Sequence, residues 1–354
     1  MEAKICSQRQ SNFELLRIIS MMMIVTLHFM GHGKVLDSVQ FGSFNFLLAW
    51  FVEILSAVAV NCYVLLSGYF LVKSKFEIRK LILIWLQVEF YSLFIYIIFI
   101  LMGFETFQLK HLMAALLPVT TNQYWFFSCY FGVYLFSPII NRVVESLDPK
   151  LYRQIIVTGI LFFVIIPSGQ KDPFLVNHGY SVFWFIFLYF IAAYIRLYGL
   201  KGQKKFLCYV SFAVFAVLIK IITVKINIAS NIGLVDYNFI TTFLASVSLF
   251  AYFKDVRINV DKINRIILFF SPLTFGVYLI HDNQYMREIL WKIIVPAKYV
   301  NSVALWECFV ITILTIYISC SLIDYFRQKI FLILRMSVFA YWLAEKIKSV
   351  ALKI

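Results

Sequence analysis

The stretch FELLRIISMMMIVTLHFM, which covers residues 13–30, decides the fold class of the chain. A membrane-spanning helix needs about 20 mainly apolar residues to cross roughly 30 Å of hydrocarbon, and this stretch is close to that length. The small-residue cleavage site that ends a secretory signal does not follow it. We therefore expect a permanent first membrane helix that contains Arg17 and His28.

Similar apolar runs recur along the rest of the chain. Of its 354 residues, 62% are hydrophobic and only 14% are charged, and the mean hydropathy is +0.86. One water-facing domain cannot bury that much apolar side chain. The sequence predicts an all-α polytopic membrane protein with about ten transmembrane helices. These helices are expected near residues 12–31, 46–72, 80–102, 123–141, 154–168, 180–198, 206–225, 238–253, 264–281 and 303–325.

Lys and Arg residues alternate in density from one loop to the next. With ten helices, 24 of them fall on the side of the two termini and 7 on the opposite side. Because cytoplasmic loops are enriched in Lys and Arg, this bias predicts that the N- and C-termini are both cytoplasmic. The net charge of +14 is spread over loops and does not form one face, so no nucleic-acid partner is expected.

Two parts of unequal size are predicted. Residues 1–325 form the transmembrane bundle, and residues 326–354 form a basic amphipathic cytoplasmic tail. The tail mixes apolar residues such as Phe339 and Trp342 with cations such as Lys346, as a helix lying on an anionic inner leaflet would. The lipid bilayer is thus an expected partner of both parts.

The cysteines show no ligand spacing. They lie mostly inside apolar runs and contain no Cys-x-x-Cys pair, so we expect neither a disulfide framework nor a bound metal. The six are Cys6, Cys62, Cys129, Cys208, Cys308 and Cys320.

Arg17 and His28 are the sharpest candidates for chemistry, because ionisable groups are costly inside a bilayer and mark functional sites by default. Eleven residues make close to three helical turns, so both project from nearly one face, about 16 Å apart along the axis. The guanidinium suits the phosphates of a cytoplasmic donor, and a neutral imidazole can take a proton from an acceptor hydroxyl. Glu14, one turn before Arg17, can orient it. Alternatively, Arg17 is only a cation that fixes the orientation of the helix in the membrane, and His28 only packs inside the helix bundle.

Four segments, in order, resemble the acyltransferase 3 family. The first carries the family's opening signature, in which an Arg or Lys is followed by ten residues and then His. The others close the second helix, open the fourth and end the ninth. The segments are residues 12–28, Leu66-Ser-Gly-Tyr-Phe-Leu71, Trp125-Phe-Phe127 with Pro138 beyond it, and Phe275-Gly-Val-Tyr-Leu-Ile-His281.

The resemblance spans residues 12 to about 325 and implies an integral membrane acyltransferase. Such enzymes take acetyl, or sometimes another acyl group, from cytoplasmic acyl-CoA and place it on the extracytoplasmic side. Arg17 and His28 match the essential pair, with His28 as the expected catalytic base and Glu14 beside Arg17. Acetyl-CoA, or another acyl-CoA, is then the donor substrate, and no permanently bound cofactor is expected.

The same resemblance implies residues that bind the donor. The basic motif that these enzymes often carry after the second helix is only approximate here, and Lys73, Lys75 and Arg79 are expected to contact CoA, with topology charge as the alternative. On the acceptor side, each candidate has a structural alternative: interface packing for Trp125, a helix cap for His281 and bundle hydrogen bonding for Glu89. Four residues are assigned to substrate binding: Trp125, His281, Ser67 and Glu89.

The expected reaction is therefore O-acylation, most simply O-acetylation, of an extracytoplasmic glycan such as capsular polysaccharide, exopolysaccharide or another cell-wall polymer. Many relatives carry an SGNH-type domain after the bundle. Without one, either the bundle acylates the acceptor directly, or a separate transfer protein or polysaccharide-assembly machinery completes the step. A transporter or flippase for a polysaccharide precursor is the alternative. The expected location is the plasma membrane of a bacterium.

Overall fold

The computed structural model describes residues 9–169, 172–227 and 233–351. Helices make up 79% of the described residues, which contain no strand. The predicted all-α fold is therefore confirmed. Lys4, Lys171 and Lys353, which contribute to the charge comparison, and Cys6 lie outside the described residues.

The helices follow one another with short connections. They are α1 (Ser11–Gly31), α2 (Val35–Ser38), α3 (Phe44–Ser56), α4 (Ala59–Leu71), α5 (Ile78–Leu101), α6 (Leu109–Leu116), α7 (Trp125–Ser146), α8 (Pro149–Ile160), α9 (Ile166–Ser168), α10 (Val182–Tyr198), α11 (Lys205–Lys225), α12 (Ile240–Asp255), α13 (Asp261–Phe270), α14 (Thr274–His281), α15 (Gln284–Ile294), α16 (Ala304–Ile333) and α17 (Met336–Ala351). A π-helical turn, Leu161–Ile165, joins α8 to α9.

Every predicted membrane helix has a helical counterpart, but not all of them are long. Within the described residues, eight helical segments are long and apolar enough to span a bilayer. The sixth and eighth predicted helices correspond to α10, with 17 residues, and α12, with 16. Both pack against α4 inside the bundle. The cytoplasmic location of the termini stays a prediction.

Two predicted helices are interrupted. The second is divided at Ala57 and Val58 into α3 and α4, and the ninth is divided by a 3₁₀ turn at Ser271–Leu273 into α13 and α14. The second interruption contains Pro272, which lacks the N–H that a continuous helix requires. Both α4 and α14 contact α1, so the interruptions lie beside the first helix.

Helix α16 continues past the expected boundary at residue 325 to Ile333. A buried ion pair within this helix, between Asp324 and Arg327 at 2.8 Å, holds the extra turns. The predicted tail therefore begins inside α16, and its own helix is α17. Ala340 and Ala344 of α17 pack against α5, whereas Trp342 is half exposed. Its attachment to an anionic leaflet stays a prediction.

Helix α1 lies at the centre of the bundle. It contacts α3, α4, α12, α13, α14 and α16. Near its start, the Phe13 ring packs against Tyr69 and Phe250, with ring centroids 5.0 and 5.7 Å apart. Gly68, next to Ser67, allows close approach of α4 to α10, since an added Cβ would lie 2.9 Å from the Tyr189 Cα atom. This packing surrounds the α1 face that carries Arg17 and His28.

Candidate functional site

His28 and His281 form a hydrogen-bonded pair at one end of the bundle. His28 Nδ1 lies 2.9 Å from His281 Nε2, and His281 Nδ1 lies 2.6 Å from the Val277 carbonyl oxygen. Helix α14 supplies both His281 and Val277, one turn apart. Because α14 packs on α1, residues 253 positions apart in sequence share one hydrogen bond.

These contacts assign the tautomers of both rings. A carbonyl oxygen only accepts, so His281 Nδ1 carries a proton and the neutral ring leaves its Nε2 as an acceptor. His28 Nδ1 must then donate to His281, which leaves His28 Nε2 with a lone pair. Nε2 has no hydrogen-bond partner among the described residues. The geometry therefore prepares His28 to accept a proton.

Charged groups surround the pair. Asp282 is 8% exposed, and its Oδ1 lies 3.7 Å from His28 Nδ1 and 3.3 Å from Arg287 Nη1. Burial raises the pKa of the Asp282 carboxyl, and the Arg287 guanidinium partly offsets this. The ring of His32, one turn after His28, has its centroid 4.9 Å from that of His28. Arg287 thus compensates the carboxylate next to the pair.

His28 opens into a cavity of about 410 Å³, which we call the histidine cavity. Its wall includes Glu53 and the three packed aromatic residues Trp125, Tyr180 and Tyr237. Trp125 stacks on Tyr237 with centroids 5.7 Å apart and lies 4.3 Å from the Tyr180 ring. The expected substrate residue Trp125 therefore shares a cavity with His28.

Arg17 lines a second cavity of about 380 Å³, the middle cavity. Ser67 lines it too, so the structure places Ser67 with Arg17 and not with His28. The Glu14 carboxylate accepts a hydrogen bond from Arg17 Nη1 at 3.0 Å, as the helical spacing predicts. Tyr63 donates to the Arg17 carbonyl oxygen at 2.9 Å and so connects α4 to α1 at this level.

The middle and histidine cavities adjoin. Three aromatic residues, Tyr63, Phe126 and Phe275, line both of them. They come from α4, α7 and α14, the same helices that carry Ser67, Trp125 and His281. The face of α1 between Arg17 and His28 is therefore bordered by two cavities that meet at an aromatic partition.

A third cavity of about 690 Å³ continues from the middle cavity, and Arg9 lines both. Arg257 and Arg265 also line this arginine cavity, where Asp261 is the one acidic residue among the described lining residues. None of the three guanidinium groups forms an ion pair with the residues that the structure describes. The start of α1 is held at this cavity by Asn12, whose amide donates to the Phe253 carbonyl oxygen at 2.9 Å. The cavity is suited to a multiply charged anion.

The remaining predicted site residues lie elsewhere. Lys73, Lys75 and Arg79 are exposed, and none of them lines the arginine, middle or histidine cavity. Arg79 borders a surface cleft against α17 instead. Glu89 Oε2 is buried without a hydrogen-bond partner, but this residue lines none of the three cavities, and the partners of His28 are His281 and Asp282.

One buried network was not singled out from the sequence. Asp324 is fully buried and accepts hydrogen bonds from Arg327 Nε at 3.0 Å, the Tyr91 hydroxyl at 2.9 Å and Gln87 Nε2 at 3.0 Å. Gln87 also lines the middle cavity. A carboxylate inside an apolar run was the available signal. The network supports the wall of the middle cavity.

A metal was not expected, but three potential ligands lie together. His28, His32 and Asp282 place ligand atoms within 4.8 Å of one another. At Asp282 Oδ1 a divalent cation would compete with the Arg287 guanidinium, whose Nη1 lies 3.3 Å away.

Comparison with known proteins identifies the domain. The family model for acyltransferase 3, described as an acyltransferase domain, matches residues 10–324. No curated protein and no solved structure matches the chain. The match covers nearly the whole chain and includes every helix that lines the histidine and middle cavities.

Proposed function

The chain belongs to the acyltransferase 3 family, and from this premise we propose that it moves an acyl group, most simply the acetyl group of acetyl-CoA, from the cytoplasmic donor to a hydroxyl of an extracytoplasmic glycan. It is a multi-pass membrane acyltransferase. One observation supports the finer proposal: His28, whose Nε2 keeps a lone pair, lines a cavity that adjoins the cavity of Arg17.

The donor binds from the side of the arginine and middle cavities. Arg9, Arg257 and Arg265 offer three guanidinium groups to the phosphates of CoA, and Arg17 lies deeper, where Glu14 orients its fork. The pantetheine arm passes the aromatic partition and brings the thioester next to His28. This route replaces Lys73, Lys75 and Arg79 as the principal donor contacts, because these residues are away from the cavities.

The acceptor binds in the histidine cavity. His28 Nε2 takes the proton of the acceptor hydroxyl while the hydroxyl oxygen attacks the thioester carbonyl carbon. When the carbon–sulfur bond breaks, the protonated His28 gives that proton to the leaving CoA thiolate. The products are the acetyl ester and free CoA. His281 holds the His28 tautomer that makes this possible, and Asp282 stabilises the transient imidazolium.

The acceptor is proposed to be a surface polysaccharide of a bacterium, such as capsule, exopolysaccharide or another cell-wall polymer, and the enzyme to reside in the plasma membrane. The aromatic wall formed by Trp125, Tyr180 and Tyr237 supports a sugar acceptor, because flat rings pack against the apolar face of a pyranose. A partner protein that passes the acetyl group on remains compatible with the same cavity.

The test is the base-labile acetate content of surface polysaccharide from cells that express the wild type, His28→Ala or Arg17→Ala at equal membrane abundance. We expect ester with the wild type and its loss in both variants. Matched controls are His111→Ala and Arg153→Ala, which lie outside the three cavities and should retain the ester. Normal ester content in His28→Ala would refute the catalytic role, and a transport assay would then test the flippase alternative.

A further inference from the structure

Glu53 is a buried carboxyl group without a partner in the histidine cavity. It lies on α3 and is 6% exposed, and its Oε2 atom has no hydrogen-bond partner. Its carboxyl forms no ion pair with any residue in the described part of the chain. A buried charge normally has a partner, because an unpaired charge away from water is strongly disfavoured. We therefore expect the partner of Glu53 to lie in the cavity that this residue lines.

The charges that line the cavity do not compensate Glu53. The other carboxylate residue that lines the cavity is Asp282, whose Oδ1 lies 3.3 Å from Arg287 Nη1. One cation on the neighbouring helix α11 is Lys220. Its Nζ lies 3.7 Å from the centroid of the Trp50 ring, and it forms no ion pair with Glu53 among the described contacts. Among the described residues no cation pairs with Glu53, so a cationic ligand would stabilise its ionised form.

The aromatic cluster of the cavity lies beside this carboxyl. Trp125, Tyr180 and Tyr237 are mutually packed, with the Tyr180 and Tyr237 centroids 4.8 Å apart. Aromatic faces are negative because of the ring quadrupole, and they attract cations placed over them. The carboxylate and the aromatic rings therefore both favour a positively charged ligand. A neutral hydroxyl would satisfy a hydrogen bond but would leave the carboxylate charge uncompensated.

We propose that Glu53, with Trp125, Tyr180 and Tyr237, binds a protonated amine of the acceptor. This deepens the proposed function and rests on it for the location of the acceptor. The acceptor class is then a glycan that carries free amino groups, such as an amino sugar without an N-acyl group or a polymer with amine-bearing substituents. Binding the amine at Glu53 leaves a neighbouring hydroxyl of the same unit to face His28.

Calorimetry on the purified protein in detergent tests this with two probes of equal ring structure. The glucosamine disaccharide from chitosan carries two amines, and N,N′-diacetylchitobiose carries none. We expect the wild type to bind the diamine about 10- to 100-fold more tightly. Glu53→Gln, which keeps the shape and removes the charge, should abolish that preference. Equal affinity of the wild type for both probes would overturn the proposal.

Three further variants keep the outcome interpretable. Glu307→Gln makes the same substitution at an exposed glutamate of α16 and should retain the preference. Tyr180→Leu removes a ring without touching the carboxyl and should lower it several-fold, so the proposal stays testable if Glu53→Gln does not fold. Should Lys220→Gln abolish the preference as fully as Glu53→Gln, the loss would reflect damage to the α3–α11 packing and not removal of an amine contact, and the proposal would fail.

Failure of the proposed acetyl transfer can be told apart from failure of the amine site, because binding of the two probes does not require acetyl transfer. His28→Ala should still prefer the diamine. If the preference and its loss in Glu53→Gln are observed but no variant alters ester content, the amine site stands and the transfer reaction is wrong. If ester formation depends on His28 while Glu53→Gln has no effect on either probe, the transfer reaction stands and the amine site is wrong.

Discussion

Replacing His281 by phenylalanine removes the hydrogen-bond acceptor that selects the reactive tautomer of His28. In the native protein His28 Nδ1 donates to His281 Nε2 at 2.9 Å, and this leaves Nε2 unprotonated. Phenylalanine keeps a ring at this position, where His281 is only 1% exposed, but offers no acceptor. The His28 proton is then free to occupy Nε2, and the ring is free to turn.

The expected loss follows from the energy of that contact. A buried donor left without its acceptor costs about 1–3 kcal/mol. Since about 1.4 kcal/mol corresponds to a factor of ten, His281→Phe should lower kcat by about 5- to 150-fold. His28→Ala, which removes the base itself, should lower it by about 10²- to 10⁴-fold. His281→Gln restores an amide oxygen as an acceptor and should recover most of the activity.

The assay is steady-state transfer of radiolabelled acetyl to glycan by protein reconstituted in liposomes, with equal amounts of folded protein. A wild-type rate for His281→Phe, alongside an inactive His28→Ala, would refute the tautomer argument. If His281→Gln is as impaired as His281→Phe, then His281 exchanges protons itself and is more than a positioning residue.

Further predictions concern the donor and the packing. Arg17→Lys keeps the charge but loses the two parallel N–H donors of the guanidinium. KM for acetyl-CoA should therefore rise about tenfold, with kcat nearly unchanged. An unaltered KM in a donor titration would contradict a contact between Arg17 and the donor. Arg9→Gln should weaken donor binding at low salt. In the same titration, its difference in affinity from the wild type should shrink as ionic strength rises, because salt screens exposed charges. A salt-independent difference would exclude an electrostatic contact. Gly276→Ala would place a Cβ 2.3 Å from the Asp324 Cγ atom and should destabilise the fold by about 1–3 kcal/mol, seen as a lower Tm in detergent, while Gly31→Ala meets no atom within 4 Å and should not lower Tm.

The candidate site was predictable only in part. The spacing of Arg17 and His28 on one helix determines that they share a face, and the structure places them along two adjoining cavities. Glu14 follows from the same helical geometry and does contact Arg17. Lys73 and Arg79 illustrate the limit, because a loop cation near a membrane surface has the same local sequence whether it faces a cavity or solvent.

The sequence by itself determined the all-helical membrane fold and the α1 pair, because apolar run length and helical pitch are local properties of the chain. Tertiary structure alone decided the partners of those residues. His281 meets His28 across 253 positions, and Arg9 meets Arg257 and Arg265 at a cavity formed where separate helices end. Such contacts depend on how helices cross and where they break, and packing of side chains across the whole bundle sets both.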